Sequence, residues 1–130
     1  MSKQFKLEII SPEKIIYSSE PNEVVIPSYE GYMTILYNHS ALITFLRPGV
    51  IEVKGSETKK YFIEEGTVEF SNNKMLILTN TAIDIKEFNK EKIDKMIELN
   101  QKILKEEENI NDKKKFILSH KVEVLRMINQ

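Results

Sequence analysis

Up to about Asp84 the apolar residues recur with period 2, in short runs broken by turn residues at the spacing of antiparallel strands. Phe5, Leu7 and Ile9 share one face of an opening strand. Ile15-Ile16-Tyr17 follows Ser11-Pro12, and Val24-Val25-Ile26 ends at Pro27, so each proline is expected to mark a strand limit. Tyr32 to Tyr37 and Ala41 to Leu46 are two further strands, on either side of Asn38-His39-Ser40. Arg47-Pro48-Gly49 turns into Val50 to Val53, and Lys54-Gly55-Ser56 closes a hairpin into Lys59 to Ile63. After Gly66, Val68 and Phe70 alternate with Glu69. Asn72-Asn73 then supplies a tight turn with a residue type that tolerates positive φ, and Met75 to Leu78 return. About ten short strands are best satisfied by two packed sheets or a flattened barrel, since one open sheet would leave a hydrophobic face wet.

From Asn89 the period lengthens. Ile93, Met96, Ile97, Ile103 and Leu104 are spaced for one face of a helix, and Asn89 is placed to cap it. Asn109-Ile110-Asn111-Asp112 interrupts, with Asn111 or Asp112 as the next cap. Phe116 to Ile128 is a second helix carrying Ile117, Leu118, Val122, Leu125 and Ile128. A short connection implies an antiparallel pair. The expected class is therefore α+β: an N-terminal antiparallel β-sandwich of about ten strands over residues 1–86, then a two-helix hairpin over 87–130.

Composition narrows the chemistry. Hydrophobic residues are 41% and charged residues 30% of the 130-residue chain, which fits a globular domain rather than a disordered or membrane-embedded one. The net charge of −1 supplies no field for a phosphate backbone, so nucleic acid is not an expected partner. With no cysteine there is no disulfide, thiolate metal site or cysteine nucleophile. The N-terminus runs straight into a strand, with neither an apolar signal core nor an Arg-rich presequence, so the chain is expected to stay in the compartment where it is made.

Neither His39 nor His120 has a short-spacing partner that would make a metal motif, and no phosphate-cradling glycine loop or nucleophile elbow is present. Gly31, Gly49, Gly55 and Gly66 read as turn residues. Glu64-Glu65 point to opposite faces of a strand and make no acid/base dyad. Glu106, Glu107 and Glu108 crowd the end of the first helix, and Lys113, Lys114 and Lys115 open the second, each cluster opposing its own helix dipole. Neither catalytic residues nor a cofactor or metal is expected. A small β-barrel enzyme, with a histidine beside a carboxylate, and a free-standing β scaffold are the competing readings.

Several local words occur in order at family spacing. Phe5-Lys6-Leu7-Glu8-Ile9-Ile10-Ser11-Pro12-Glu13 comes first, then Ile16-Tyr17-Ser18. Glu30-Gly31, Ile35-Leu36, Asn38-His39, Ala41-Leu42-Ile43 and Leu46-Arg47-Pro48-Gly49-Val50-Ile51 follow. Gly66 to Val68, Leu76-Ile77-Leu78 and Thr81-Ala82-Ile83-Asp84 close the series. In these the chain resembles the epsilon subunit of F-type ATP synthases, over nearly its whole length. Thr34, Tyr37, Ser40-Ala41 and Glu65 depart from the family's usual small or proline residues, which bears on local turn shape.

The resemblance implies a central-stalk rotor subunit that couples the gamma subunit to the c ring, at the cytoplasmic face of a bacterial inner membrane. It also implies that the helical hairpin brakes ATP hydrolysis by reaching the alpha/beta catalytic head. The residues it points to for gamma and the c ring are Glu30, Gly31, Tyr32, Asn38 and His39, taken as one loop between strands, with Lys113, Lys114 and Lys115 as contacts of the regulatory helix. Some family members bind ATP through an Ile/Leu-Asp-x-x-Arg-Ala word, and here the nearest alignment reads Asn111-Asp112-Lys113-Lys114-Lys115-Phe116. Asp112 matches and Lys115 stands for a guanidinium, which implies weak nucleotide binding or none.

Overall fold

The computed structural model describes residues 3–106 and 111–128. Ten strands come first: β1 Lys6–Ile10, β2 Ile15–Ser19, β3 Glu23–Ser28, β4 Gly31–Leu36, β5 Leu42–Leu46, β6 Gly49–Lys54, β7 Thr58–Ile63, β8 Gly66–Ser71, β9 Lys74–Thr79 and β10 Ala82–Asp84. A short 3₁₀ turn, Ile85–Glu87, leads to helices α1 Lys90–Glu106 and α2 Asp112–Ile128.

The strands pair in the order β10-β7-β6-β3-β5-β8-β9-β1-β2, with β4 on the other edge of β3. One half, β10-β7-β6-β3-β4, meets the other, β5-β8-β9-β1-β2, at the single pair Ser28↔Leu46. There the ladder turns a corner and lays the two halves face to face. Among the described strands β1 runs parallel to β9 and the remaining pairings are antiparallel.

Period-2 alternation places Leu7, Ile9, Val24, Ile26, Ile51, Val53, Val68, Phe70 and Ile77 in the core between the halves. Phe5 meets Phe70 edge-to-face at 5.5 Å. Tyr61 lies beside Tyr17 at 5.5 Å, and burial pushes its hydroxyl up to about 12, with the negative charge of Asp84 as the second cause. It therefore stays protonated and neutral at physiological pH.

Pro27 does not end its strand. It pairs with Tyr32, and β3 continues to Ser28. The missing N–H costs nothing there, while the Pro27 carbonyl accepts the Arg47 N–H at 3.0 Å.

In β7, Tyr61, Phe62 and Ile63 are consecutive and all buried, as happens where a sheet is covered on both faces. The cover is the helical hairpin. Phe62 points outward into a second cluster with Ile93, Val124 and Leu125, bordered by Val50, Phe88, Met96, Ile97 and Ile128. Asn89 caps α1 by accepting the Lys92 N–H at 2.8 Å, and Asn111 caps α2 by accepting the Lys114 N–H at 2.8 Å. Asp112 is therefore the first helical residue, and α2 begins four residues before Phe116. Leu118, Val122, Val124 and Leu125 are its buried residues. The pairing expected between Glu106, Glu107, Glu108 and the lysines of α2 lies outside the described residues and side chains.

Two glycines are required by close approach rather than by turning. A Cβ on Gly66 would stand 2.6 Å from the Leu78 carbonyl oxygen, and one on Gly49 would stand 2.5 Å from Pro27 Cβ. Gly66→Ala and Gly49→Ala should each destabilise the fold by roughly 1–3 kcal/mol, the usual cost of overpacking. Urea unfolding would show this as a lower midpoint at unchanged slope; wild-type midpoints in both variants would contradict the packing described.

Candidate partner-binding surface

The residues expected to form one recognition loop are divided by the fold. Gly31 and Tyr32 belong to β4, whereas Asn38 and His39 lie in the turn after it. Six residues of strand separate the two ends by roughly 20 Å. At the first end Glu30 sits in the β3–β4 turn, where Ser28 Oγ donates to the Gly31 carbonyl at 2.5 Å and Gly31 takes a φ of 128°. That conformation is one glycine adopts freely.

At the other end Asn38 and Asn73 bind each other across two turns. Asn38 N–H donates to Asn73 Oδ1 at 2.6 Å, and Asn73 Nδ2 donates to Asn38 Oδ1 at 2.9 Å. Both residues have positive φ, which asparagine tolerates. His39 is stacked edge-on against Phe70 at 5.9 Å, its Nδ1 2.8 Å from the Ser40 carbonyl oxygen. This histidine is half-buried in the turn. Tyr32 stands on the sheet surface, 53% exposed, with the Arg47 guanidinium 5.1 Å above its ring.

An apolar row on the surface escaped the sequence reading. On the outer side of β5-β8-β9-β1-β2, the register lines up Phe45, Thr67, Leu78, Ile10 and Ile15 in one row across five strands. Phe45 is 63% exposed and Ile15 58%, and Ile43 stands exposed beside the row. A groove of about 580 Å³ runs along it, lined in part by Ile10, Phe45, Leu78 and Pro12. The first turn of α2 reaches the end of this groove through Lys113, beside Glu65 and Gly66. The signal was present in Ala41-Leu42-Ile43-Thr44-Phe45-Leu46, which is apolar at both phases of the alternation. Such a strand is either buried on both faces or presents one to a partner.

On α2, Asp112, Lys113, Lys114 and Lys115 are all exposed in the first turn. Phe116 stacks on Tyr29, ring centroids 5.6 Å apart and planes 16° from parallel, and its other neighbour is His120 at 4.2 Å. Lys121 is ion-paired with Glu64. Burial raises the Tyr29 hydroxyl above its ordinary value, helped by the negative charge of Glu65. Among the described residues no three His, Asp or Glu side chains are grouped so as to hold a metal ion, and no helix is long and apolar enough to cross a membrane.

Residues 4–85 match the family described as ATP synthase, Delta/Epsilon chain, beta-sandwich domain. The chain is 39% identical to the ATP synthase epsilon chain of Pelagibacter ubique (strain HTCC1062), over 99% of its own length and 100% of that protein's. It belongs to the ATP synthase epsilon-chain family. The epsilon chain of Allorhizobium ampelinum is 34% identical over 84% of this chain and 82% of its own. Its fold is shared with a chain of the Euglena gracilis mitochondrial ATP synthase, OSCP/F1/c-ring in rotational state 1. That match has TM-score 0.75 at 20% identity, covering 95% of this chain and 78% of that one. A chain of the Tetrahymena thermophila mitochondrial ATP synthase central stalk/c-ring gives TM-score 0.68 at 18% identity, with full coverage of both.

Within this epsilon-chain fold the α2 start is poorly equipped for a nucleotide. Lys115 offers an exposed point charge where a planar fork would grip, and Phe116 is already stacked on Tyr29. Titration calorimetry of the isolated chain with ATP should show no saturable heat at micromolar concentrations. A micromolar-range isotherm would contradict this.

Proposed function

We propose that this epsilon chain is a non-catalytic rotor subunit that clamps to gamma, rests on the c ring and passes torque between them. The observation that carries the reading is the apolar row Phe45–Thr67–Leu78–Ile10–Ile15, on the outer face of β5-β8-β9-β1-β2, where Phe45, Leu78 and Ile15 are exposed. A torque-bearing adaptor needs a stiff body with a flat face for its partner. Two close-packed half-sheets joined at Ser28↔Leu46 supply both. Gamma would take the apolar face, and the exposed groups around β4, from Glu30, Gly31 and Tyr32 to Asn38 and His39, would meet gamma and the c ring at the rim. Association with the membrane is then peripheral and through the complex, at the cytoplasmic face of a bacterial inner membrane.

In the same reading, residues 1–86 form the clamp and 87–130 a movable regulatory hairpin. It would brake ATP hydrolysis by presenting Lys113, Lys114 and Lys115 to acidic surfaces of the alpha/beta head. These lysines stand exposed at the positive end of the α2 dipole, which disfavours a cation, and an acidic surface of the head would offset that term.

Membranes carrying the assembled complex test both parts. Tyr32→Ala with His39→Ala should weaken assembly by roughly tenfold, the effect of losing about 1.4 kcal/mol at an interface, and lower ATP-driven proton pumping accordingly. Lys113→Gln, Lys114→Gln and Lys115→Gln together should raise ATP hydrolysis and leave coupling intact. Wild-type pumping in the first variant would sink the clamp surface, and unchanged hydrolysis in the second, at low and moderate salt, would sink the brake.

A further inference from the structure

The hairpin touches the sandwich in two places of different chemistry. The first is the apolar cluster around Phe62, Val124 and Leu125. The second lies at the sandwich rim, where the β3–β4 and β7–β8 turns meet the first half of α2. There Tyr29 stacks on Phe116, and Glu64, in the β7–β8 turn, pairs with Lys121.

The rim pair is unequal. The Lys121 side chain is 14% exposed, its stem laid against the sandwich, while Glu64 is 43% exposed at the edge of the turn. In the docked state most of the Lys121 side chain is out of water and its ammonium pairs with Glu64, whereas the Glu64 side chain keeps much of its own water. Removing the two partners therefore has opposite consequences. Without Glu64 the Lys121 ammonium loses that carboxylate on a side chain largely out of water, and undocking becomes the way to rehydrate it. Without the Lys121 charge, the exposed carboxylate simply takes up water, and an apolar stem of similar length fills the same place at little cost. The Tyr29–Phe116 stack adds a term with no charge, because two half-exposed rings cover each other only while α2 is docked.

We infer that Glu64–Lys121 and Tyr29–Phe116 form a rim latch, separate from the apolar cluster, which sets how often α2 leaves the sandwich. The latch rests on the reading of the hairpin as movable. Its defining property is asymmetry: Glu64 holds the hairpin down, while the Lys121 charge, apart from its stem, does not.

The chain has no cysteine, so paired labels can be placed without background. Spin labels at Ser71→Cys and Arg126→Cys, both exposed, report the sandwich-to-α2 distance in the full chain by pulsed electron resonance. Glu64→Gln should multiply the undocked population roughly threefold to tenfold, the latter corresponding to about 1.4 kcal/mol. Phe116→Ala should raise it as well, and Lys121→Met should leave it unchanged or lower it. Near-ultraviolet circular dichroism of the sandwich tyrosines verifies that each variant retains the folded body. An undocked population unmoved by Glu64→Gln, one unmoved by Phe116→Ala, or one raised by Lys121→Met as far as by Glu64→Gln would each overturn the latch. No ATPase enters the measurement, so its failure leaves the rotor reading standing, and failure of the rotor reading leaves the latch measurable.

Discussion

Two packed sheets have four faces, and burying the inner two leaves the outer two to be dealt with. Here the chain carries one cover for two faces. The outer side of β10-β7-β6-β3-β4 receives the helical hairpin through Phe62, while the outer side of β5-β8-β9-β1-β2 keeps Phe45, Leu78 and Ile15 in water. Apolar area removed from water is worth roughly 25 cal/mol per Å², so an uncovered row of this kind is a standing source of binding free energy. The same constraint fixes the character of the hairpin. It is attached to a body that is already complete, through the few outward side chains that β6 and β7 can spare.

The two attachments therefore differ in strength. Inside the sandwich, alternating residues from both half-sheets pack into one core, and the corner at Ser28↔Leu46 joins the halves by backbone pairing. Between sandwich and hairpin, burial centres on Phe62, Ile93, Val124 and Leu125, with the Tyr29–Phe116 stack and the Glu64–Lys121 ion pair at the rim. Each fully buried apolar side chain contributes about 1.5–3 kcal/mol, so the residues of that cluster set the scale of the docking free energy. On the proposed reading the hairpin is the regulatory element and the sandwich the body that bears torque, in keeping with the chain's place among ATP synthase epsilon chains.

Local features were legible in the sequence because their causes are local. Leu7 and Ile9 reveal a strand by their spacing, Asn72-Asn73 reveals a hairpin by its tolerance of positive φ, and Asn89 and Asn111 reveal helix starts by their capping oxygens. Pairings between distant segments were not. Nothing in Lys6 to Ile10 says that it runs parallel to β9, and Pro27 ends a strand only if its N–H would have been needed. Phe62 looked like one more strand residue until the hairpin lay over it, and Val124 stood outside the helix face expected from spacing. The candidate loop from Glu30 to Ser40 is not one loop, because strand β4 lies between its two ends. The bare row of Phe45 and Leu78 needed five strands in register before it existed at all.

The central claim is that sandwich and hairpin are two units of unequal stability, with the hairpin opening while the sandwich remains closed. Native-state hydrogen exchange on the full chain, followed amide by amide across low urea concentrations, tests it most directly. Amides of α1 and α2 should exchange through a sub-global opening with a small urea dependence, while those of β1, β3, β6, β8 and β9 exchange only by global unfolding. A single opening free energy and a single urea dependence shared by helix and strand amides would show one cooperative unit and contradict the account.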